Sequence, residues 1–169
     1  MLIGFAALLP DDVQNFMRAA ARELDERFGT ATTIEPHVTF KQPFDGDVQA
    51  AATFLDELAA STAPFELELH GYATFDEEGV LFLDVVGGTG DLLELQRRVL
   101  DELPAAPAKF EGAGYRAHAT LAVGLTAAHL AEARAVLPPS PRFRFEVDRL
   151  GLFARLEPAW IVYRRAHTG

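Results

Sequence analysis

Pro36-His37-Val38-Thr39-Phe40-Lys41 and, further along the chain, Arg116-Ala117-His118-Ala119-Thr120-Leu121 are the two stretches on which the reading of this sequence turns. Each sits in a run with strand character, Pro36 to Gln42 and Tyr115 to Val123. Side chains alternate between the faces of a strand, so His37, Thr39 and Lys41 are expected to point one way, opposite Val38 and Phe40. In the second run Arg116, His118 and Thr120 share a face, opposite Ala117, Ala119, Leu121 and Val123. Both strands then present a histidine, a hydroxyl and a cation on one surface and an apolar face to a core.

Working outward, the elements around the two strands follow a repeated order. Leu2 to Leu9 reads as a strand, and Asp11 is placed to cap a helix whose Val13, Phe16, Met17, Ala20, Leu24 and Phe28 recur at helical spacing up to Gly29. After a Thr-rich loop and the first histidine strand, Asp47 can cap a helix to about Ala60. Phe65 to about Phe75 then alternates and turns at Asp76-Glu77-Glu78-Gly79 into Val80 to Val86. The second part begins with a helix from Thr89 to about Leu103, followed by a loop rich in Pro, Ala and Gly and the second histidine strand. Thr126 can cap the next helix, with Leu125 and Leu130 as a hydrophobic staple and Pro138-Pro139 as its stop. A strand from Phe143 to about Phe153 turns at Glu157-Pro158 into Trp160 to Arg165. Each part reads helix, histidine strand, helix, hairpin, which an internal duplication explains economically. The fold class that follows is α+β, with helices covering one face of mainly antiparallel sheets.

At 169 residues with 49% apolar residues, the chain can bury a core of ordinary size as one domain, 1–169, with approximate halves 1–87 and 88–169 and room for strands exchanged between lobes. Cysteine is absent, which excludes a disulfide framework, a thiolate metal site and a cysteine nucleophile, and fits a cytoplasmic protein. Met1 to Pro10 is apolar, but it lacks a basic leader and a small-residue cleavage site and is too short to span a bilayer. It reads as a buried first strand, with no membrane partner. A formal charge of −10 argues against an extended duplex-binding surface, because nucleic-acid affinity comes largely from neutralising phosphates. A small anionic substrate, or the end of an RNA, would need a local cluster of cations and donors in a cleft.

The paired strands suit phosphodiester cleavage, which needs an activated nucleophile, stabilised phosphoryl oxygens and a protonated leaving oxygen. Two imidazoles titrating near neutral pH can supply base and acid. The hydroxyls of Thr39 and Thr120 can donate to the non-bridging oxygens, and Lys41 and Arg116 can add positive charge. Such a scheme requires neither metal nor cofactor. Roughly a third of one His-x-Thr is expected by chance at this composition, so either tripeptide alone says little. Two copies on strands of the same parity, in matching places of a duplicated chain, are much harder to obtain by accident.

The two motifs resemble the paired HxTx motifs of the 2H phosphoesterase superfamily, which includes the bacterial 2′-5′ RNA ligase/RNA 2′,3′-cyclic phosphodiesterase family. The resemblance extends over nearly the whole chain, including Phe65 to Val86 and Phe143 to Tyr163. It implies a bilobal α+β fold with pseudo-two-fold symmetry and both motifs facing one cleft. It also implies hydrolysis of a 2′,3′-cyclic phosphate at RNA ends or in small cyclic nucleotides to a 2′-phosphomonoester, with ATP-independent 2′-5′ ligation as the reverse in some members. Carried over by position, His37 is the proton donor to the leaving 3′ oxygen, His118 is the proton acceptor from water, and Thr39 and Thr120 hold the phosphate. Phe40 departs from the Leu common after the first threonine, and Phe-Lys-Gln-Pro-Phe at 40–44 looks more like an uncharacterised bacterial branch. A monomer is expected.

Phe75, Phe153 and Tyr115 are candidates to stack on a base, with core packing as the competing role. His70 and His129 read as solvated, His167 lies in the terminal tail, and Gly87-Gly88-Thr89-Gly90 lacks the residues of a phosphate loop and reads as a helix start. Two other functions compete: a nucleotide- or RNA-binding module with a silent two-histidine site, and a metallohydrolase using the histidines as ligands, against which stands the lack of a clear third ligand.

Overall fold

A computed structural model describes residues 1–30, 34–103, 107–108 and 110–169. The middle of the Thr-rich loop (31–33) and part of the Pro/Ala/Gly loop (104–106 and 109) lie outside the described residues. The elements run β1 (Leu2–Leu8), α1 (Asp11–Phe28), β2 (His37–Asp45), α2 (Val48–Ala60), β3 (Phe65–Phe75), β4 (Val80–Gly87), α3 (Thr89–Glu102), β5 (His118–Ala122), α4 (Ala127–Val136), β6 (Phe143–Val147), β7 (Arg149–Leu156) and β8 (Ala159–His167). They form an α+β fold with two four-stranded sheets, ordered β2-β1-β7-β8 and β5-β4-β3-β6. The strand pairs with an assigned register are all antiparallel.

The two orders correspond position by position: a histidine strand on one edge, then β1 or β4, then β7 or β3, then β8 or β6. Each sheet draws on both halves of the chain, so the sheets are not the sequence halves. Phe143 to Phe153, expected as one strand, is divided at Asp148, because β6 pairs with β3 in one sheet whereas β7 pairs with β1 in the other.

Helix boundaries follow the sequence signals with two corrections. Asp47 accepts from the N–H groups of Gln49 and Ala50, and Thr126 accepts from that of His129, as N-caps should. Asp11, by contrast, lies inside the first turn of α1: the cap position belongs to Pro10, which offers no side-chain acceptor. Asp11 and Asp12 there complement the positive end of the helix dipole. Thr89 is likewise the first helical residue of α3, and Gly88 occupies the cap with φ 85°. A Cβ at Gly88 would stand 2.2 Å from the carbonyl oxygen of Glu66, so the position requires glycine on two counts.

One apolar interior serves both sheets. Val13, Met17 and Leu24 of α1 and Leu55 and Leu58 of α2 are buried with Phe5, Val38 and Phe40 of the first sheet and Leu67, Leu83 and Leu121 of the second. Burying each such large side chain stabilises the fold by about 1.5–3 kcal/mol. The alternation predicted for the histidine strands holds around the motifs: Val38, Phe40, Ala119 and Leu121 are fully buried, while His37, Thr39, His118 and Thr120 are half-buried on the opposite face. No described helix is long and apolar enough to cross a membrane.

Candidate active site

His37 opens β2 and His118 opens β5, and both strands are sheet edges that pack against each other. His37, Thr39, His118 and Thr120 therefore line one cleft of about 950 Å³, a size suited to a nucleotide-sized ligand. The two imidazoles are held alike. Nδ1 of His37 donates to the carbonyl oxygen of Glu35 at 2.7 Å, and Nδ1 of His118 donates to that of Arg116 at 2.8 Å. A carbonyl can only accept, so each ring carries its proton on Nδ1 when neutral and keeps Nε2 available as base or, when charged, as acid.

Aromatic rings fix the imidazoles from the side. Phe153 of β7 lies 4.3 Å from the ring centre of His37, and Phe75 of β3 meets His118 edge-on at 5.0 Å. These phenylalanines occupy corresponding strands of the two sheets. Neither threonine hydroxyl has a hydrogen-bond partner among the described residues, which leaves both as donors toward a ligand. Burial pulls the pKa of both histidines below the ordinary imidazole value; the backbone hydrogen bonds oppose this, and each ring also feels a nearby positive group, His118 for His37 and Arg116 for His118. Among the described residues no group of three or more His, Asp or Glu side chains is placed to hold a metal ion.

The structure corrects both cations expected beside the motifs. Pairing of Ala6 with Thr39 and of Phe5 with Lys41 leaves Phe40 as an extra residue, a bulge that breaks the alternation and turns Lys41 inward. Lys41 is on the cleft lining, but its ammonium is fully buried, 3.0 Å from Oε1 of Glu111 and 3.1 Å from the carbonyl oxygen of Gln42, so it is bound to a carboxylate. Arg116 precedes β5, is exposed, and pairs with Asp84 at 2.9 Å above the ring of Phe82. It does not line the cleft.

The aromatic candidates divide. Phe153 lines the cleft, whereas Phe75 sits behind His118 in a group with Phe82 and Phe110. Tyr115 is not on the cleft lining: its hydroxyl donates to the carbonyl oxygen of Thr39 at 2.8 Å and ties the approach to β5 onto β2. Burial, and secondarily the charge of Glu111, push its phenol pKa up. His70 and His129 lie outside the cleft lining. Cleft residues that the sequence reading missed are Arg18 and Arg22 on α1, Ile34, and Trp160 on β8. Arg18 and Arg22 are spaced to share a helical face, but only packing tells which polar face looks into a cleft. Glu111 carries no sequence signal at all.

The sequence pattern of the 2′-5′ RNA ligase superfamily matches residues 9–159, a span that includes both histidine motifs. The chain belongs to that superfamily. As a member it is similar to the curated protein named "Putative phosphoesterase GK0864" of Geobacillus kaustophilus, with 27% identity covering 100% of this chain and 97% of that one. Its fold is similar to that of TT0787 of Thermus thermophilus, with a TM-score of 0.68 at 22% identity over 98% and 96% of the two chains. It is also similar to Escherichia coli LigT in its apo form, with a TM-score of 0.66 at 17% identity over 99% and 96%. LigT has also been crystallised with phosphate, 3′-AMP, ATP and NADP+.

Proposed function

We propose that this superfamily member is a cyclic phosphodiesterase that opens 2′,3′-cyclic phosphates at RNA ends or in nucleotides to 2′-phosphomonoesters, with ATP-independent 2′-5′ ligation when a 5′-hydroxyl takes the place of water as nucleophile. The observation that carries the reading is the matched pair of Nδ1–carbonyl contacts, which leaves two Nε2 atoms available in a cleft that also holds two threonine hydroxyls without a hydrogen-bond partner among the described residues. In the forward direction Nε2 of His118 takes a proton from water as its oxygen attacks phosphorus, and Nε2–H of His37 protonates the departing 3′ oxygen. Thr39 and Thr120 donate to the non-bridging oxygens as charge builds on them. The balance is one water consumed, one P–O3′ bond broken and one P–O bond formed. No metal ion takes part in these steps. That LigT has been crystallised with phosphate and with nucleotides agrees with a nucleotide-derived substrate.

The test is turnover of adenosine 2′,3′-cyclic phosphate in the presence of chelator, with the product identified. Adenosine 2′-phosphate is expected, and either His37→Ala or His118→Ala should abolish most turnover without the two losses adding, because the groups act as one unit. An ester whose leaving group needs no protonation separates the roles: His37→Ala should recover on it and His118→Ala should not. The reverse pattern exchanges the assignments, and full activity in both variants on all substrates means that neither histidine is catalytic.

A further inference from the structure

Arg116, held by Asp84, is off the cleft lining, and Lys41, although on it, has its ammonium sealed against Glu111; the exposed cationic side chains on the lining are Arg18 and Arg22 of α1. Both are exposed, and neither has an ion-pair partner among the described residues. This is notable in a chain with a formal charge of −10, where most other arginines lie against carboxylates, as Arg97, Arg144 and Arg164 do. Arg18 is also oriented. Its Nη2 donates to Oε1 of Gln14 at 2.7 Å, and Gln14 is a buried amide on an otherwise apolar helix face. The Gln14 Nε2 donates in turn to the carbonyl oxygen of Leu9 at 2.8 Å and to Oε1 of Glu35 at 3.3 Å. Glu35 is the residue whose carbonyl holds His37, so partly buried hydrogen bonds link the imidazole to the guanidinium through Glu35 and Gln14. Of the carboxylates on the cleft lining, that of Glu35 is already engaged by Arg165, which leaves Asp25 against two arginines and a net positive helix face.

A single phosphate between the imidazoles has two histidines and two threonines to hold it, and it fills a small part of a cleft of about 950 Å³. We propose, resting on the function argued above, that Arg18 and Arg22 form a second-phosphate subsite: they bind a phosphate of the substrate other than the scissile one. The substrate class selected is a cyclic phosphate carrying a further phosphate on its 5′ side. That group is either the internucleotide diester of an RNA end or the 5′-phosphate of a mononucleotide, and in each case the recognised chemistry is a phosphate oxygen pair accepting from guanidinium.

Calorimetric binding of adenosine 2′-phosphate and adenosine 2′,5′-bisphosphate tests the subsite without requiring turnover. The bisphosphate should bind on the order of tenfold more tightly to the unaltered protein, as expected for added charge-assisted hydrogen bonds. In the Arg18→Ala/Arg22→Ala variant that ratio should fall to near one. Equal affinities in the unaltered protein, or a ratio that survives in the variant, overturns the proposal. So does a loss of affinity that is equal for both ligands, since the arginines then serve the scissile phosphate. Turnover of adenosine 2′,3′-cyclic phosphate, its 5′-phosphorylated form and a diadenylate ending in the cyclic phosphate identifies the source. A kcat/KM gain for the diadenylate assigns the diester, and one confined to the 5′-phosphorylated mononucleotide assigns the monoester. A calorimetric ratio that collapses in the variant while no cyclic phosphate is turned over supports the subsite and refutes the cyclic phosphodiesterase reading.

Discussion

At the scale of single residues, the protonation of His37 and His118 makes a prediction that does not depend on which is acid and which is base. Turnover by the proposed route needs one imidazole charged and the other neutral, and that mixed state is most populated between their two pKa values. Burial lowers both, so the maximum of kcat/KM, which reports the free enzyme, should fall below the ordinary imidazole value of about 6.5. The rate should decline toward high pH as the acid loses its proton, and toward low pH as the base gains one. A maximum at pH 8 would mean that the titrating groups are not these imidazoles.

Lys41 supplies the second residue-scale prediction. Its carboxylate partner Glu111 is also fully buried, and it accepts from the backbone N–H groups of Gln42 and Ala108 as well as from the ammonium. Lys41→Met leaves that carboxylate uncompensated and should destabilise the fold by about 3–5 kcal/mol, read by denaturant unfolding. The pair Lys41→Met/Glu111→Leu should recover part of the loss, because removing both charges also removes their desolvation cost. Equal instability in the single and double variants would show that the loop depends on the backbone contacts of Glu111 more than on the charge it neutralises.

At the scale of elements, the helix starts separate a cap that the sequence signals truly from one it signals falsely. Asp47 satisfies two amide groups at the start of α2, so Asp47→Ala should cost about 1 kcal/mol. Thr89 precedes an apolar-periodic run just as plausibly, yet it makes no capping bond and α3 begins from Gly88. Thr89→Ala should therefore change stability by less than about 0.5 kcal/mol, whereas Gly88→Ala, forced to φ 85° against the carbonyl of Glu66, should cost more than Asp47→Ala. Thermal unfolding of the three variants side by side checks the order.

At the scale of the whole molecule, each sheet is built from strands of both chain halves: β1 and β2 with β7 and β8, and β3 and β4 with β5 and β6. A fragment ending at residue 87 would carry two strands of each sheet but lack β7, which pairs along the other side of β1, and β5 and β6, which flank the β3–β4 hairpin. We predict that fragments 1–87 and 88–169 are each unfolded when expressed alone, as judged by circular dichroism and amide dispersion, and that the full chain unfolds in one cooperative transition. An independently folded half would show that one sheet can form without its exchanged strands.

What the sequence determined by itself was local: the strand parity that sets His37 with Thr39 and His118 with Thr120 against buried Val38, Phe40, Ala119 and Leu121, the repeated order of elements, and the caps at Asp47 and Thr126. Those features depend on neighbours within a few residues, whose spacing the chain states directly. Tertiary structure alone decided the rest. The bulge at Phe40 arises from pairing with β1 and turns Lys41 away from the face its parity predicted. The switch of partner at Asp148 divides a strand that reads as continuous, and the packing of α1 against β5 brings Arg18 and Arg22, which the motifs do not announce, to the cleft. Register, partner choice and the direction a polar helix face looks are set by residues far away in the chain, and no local pattern carries them.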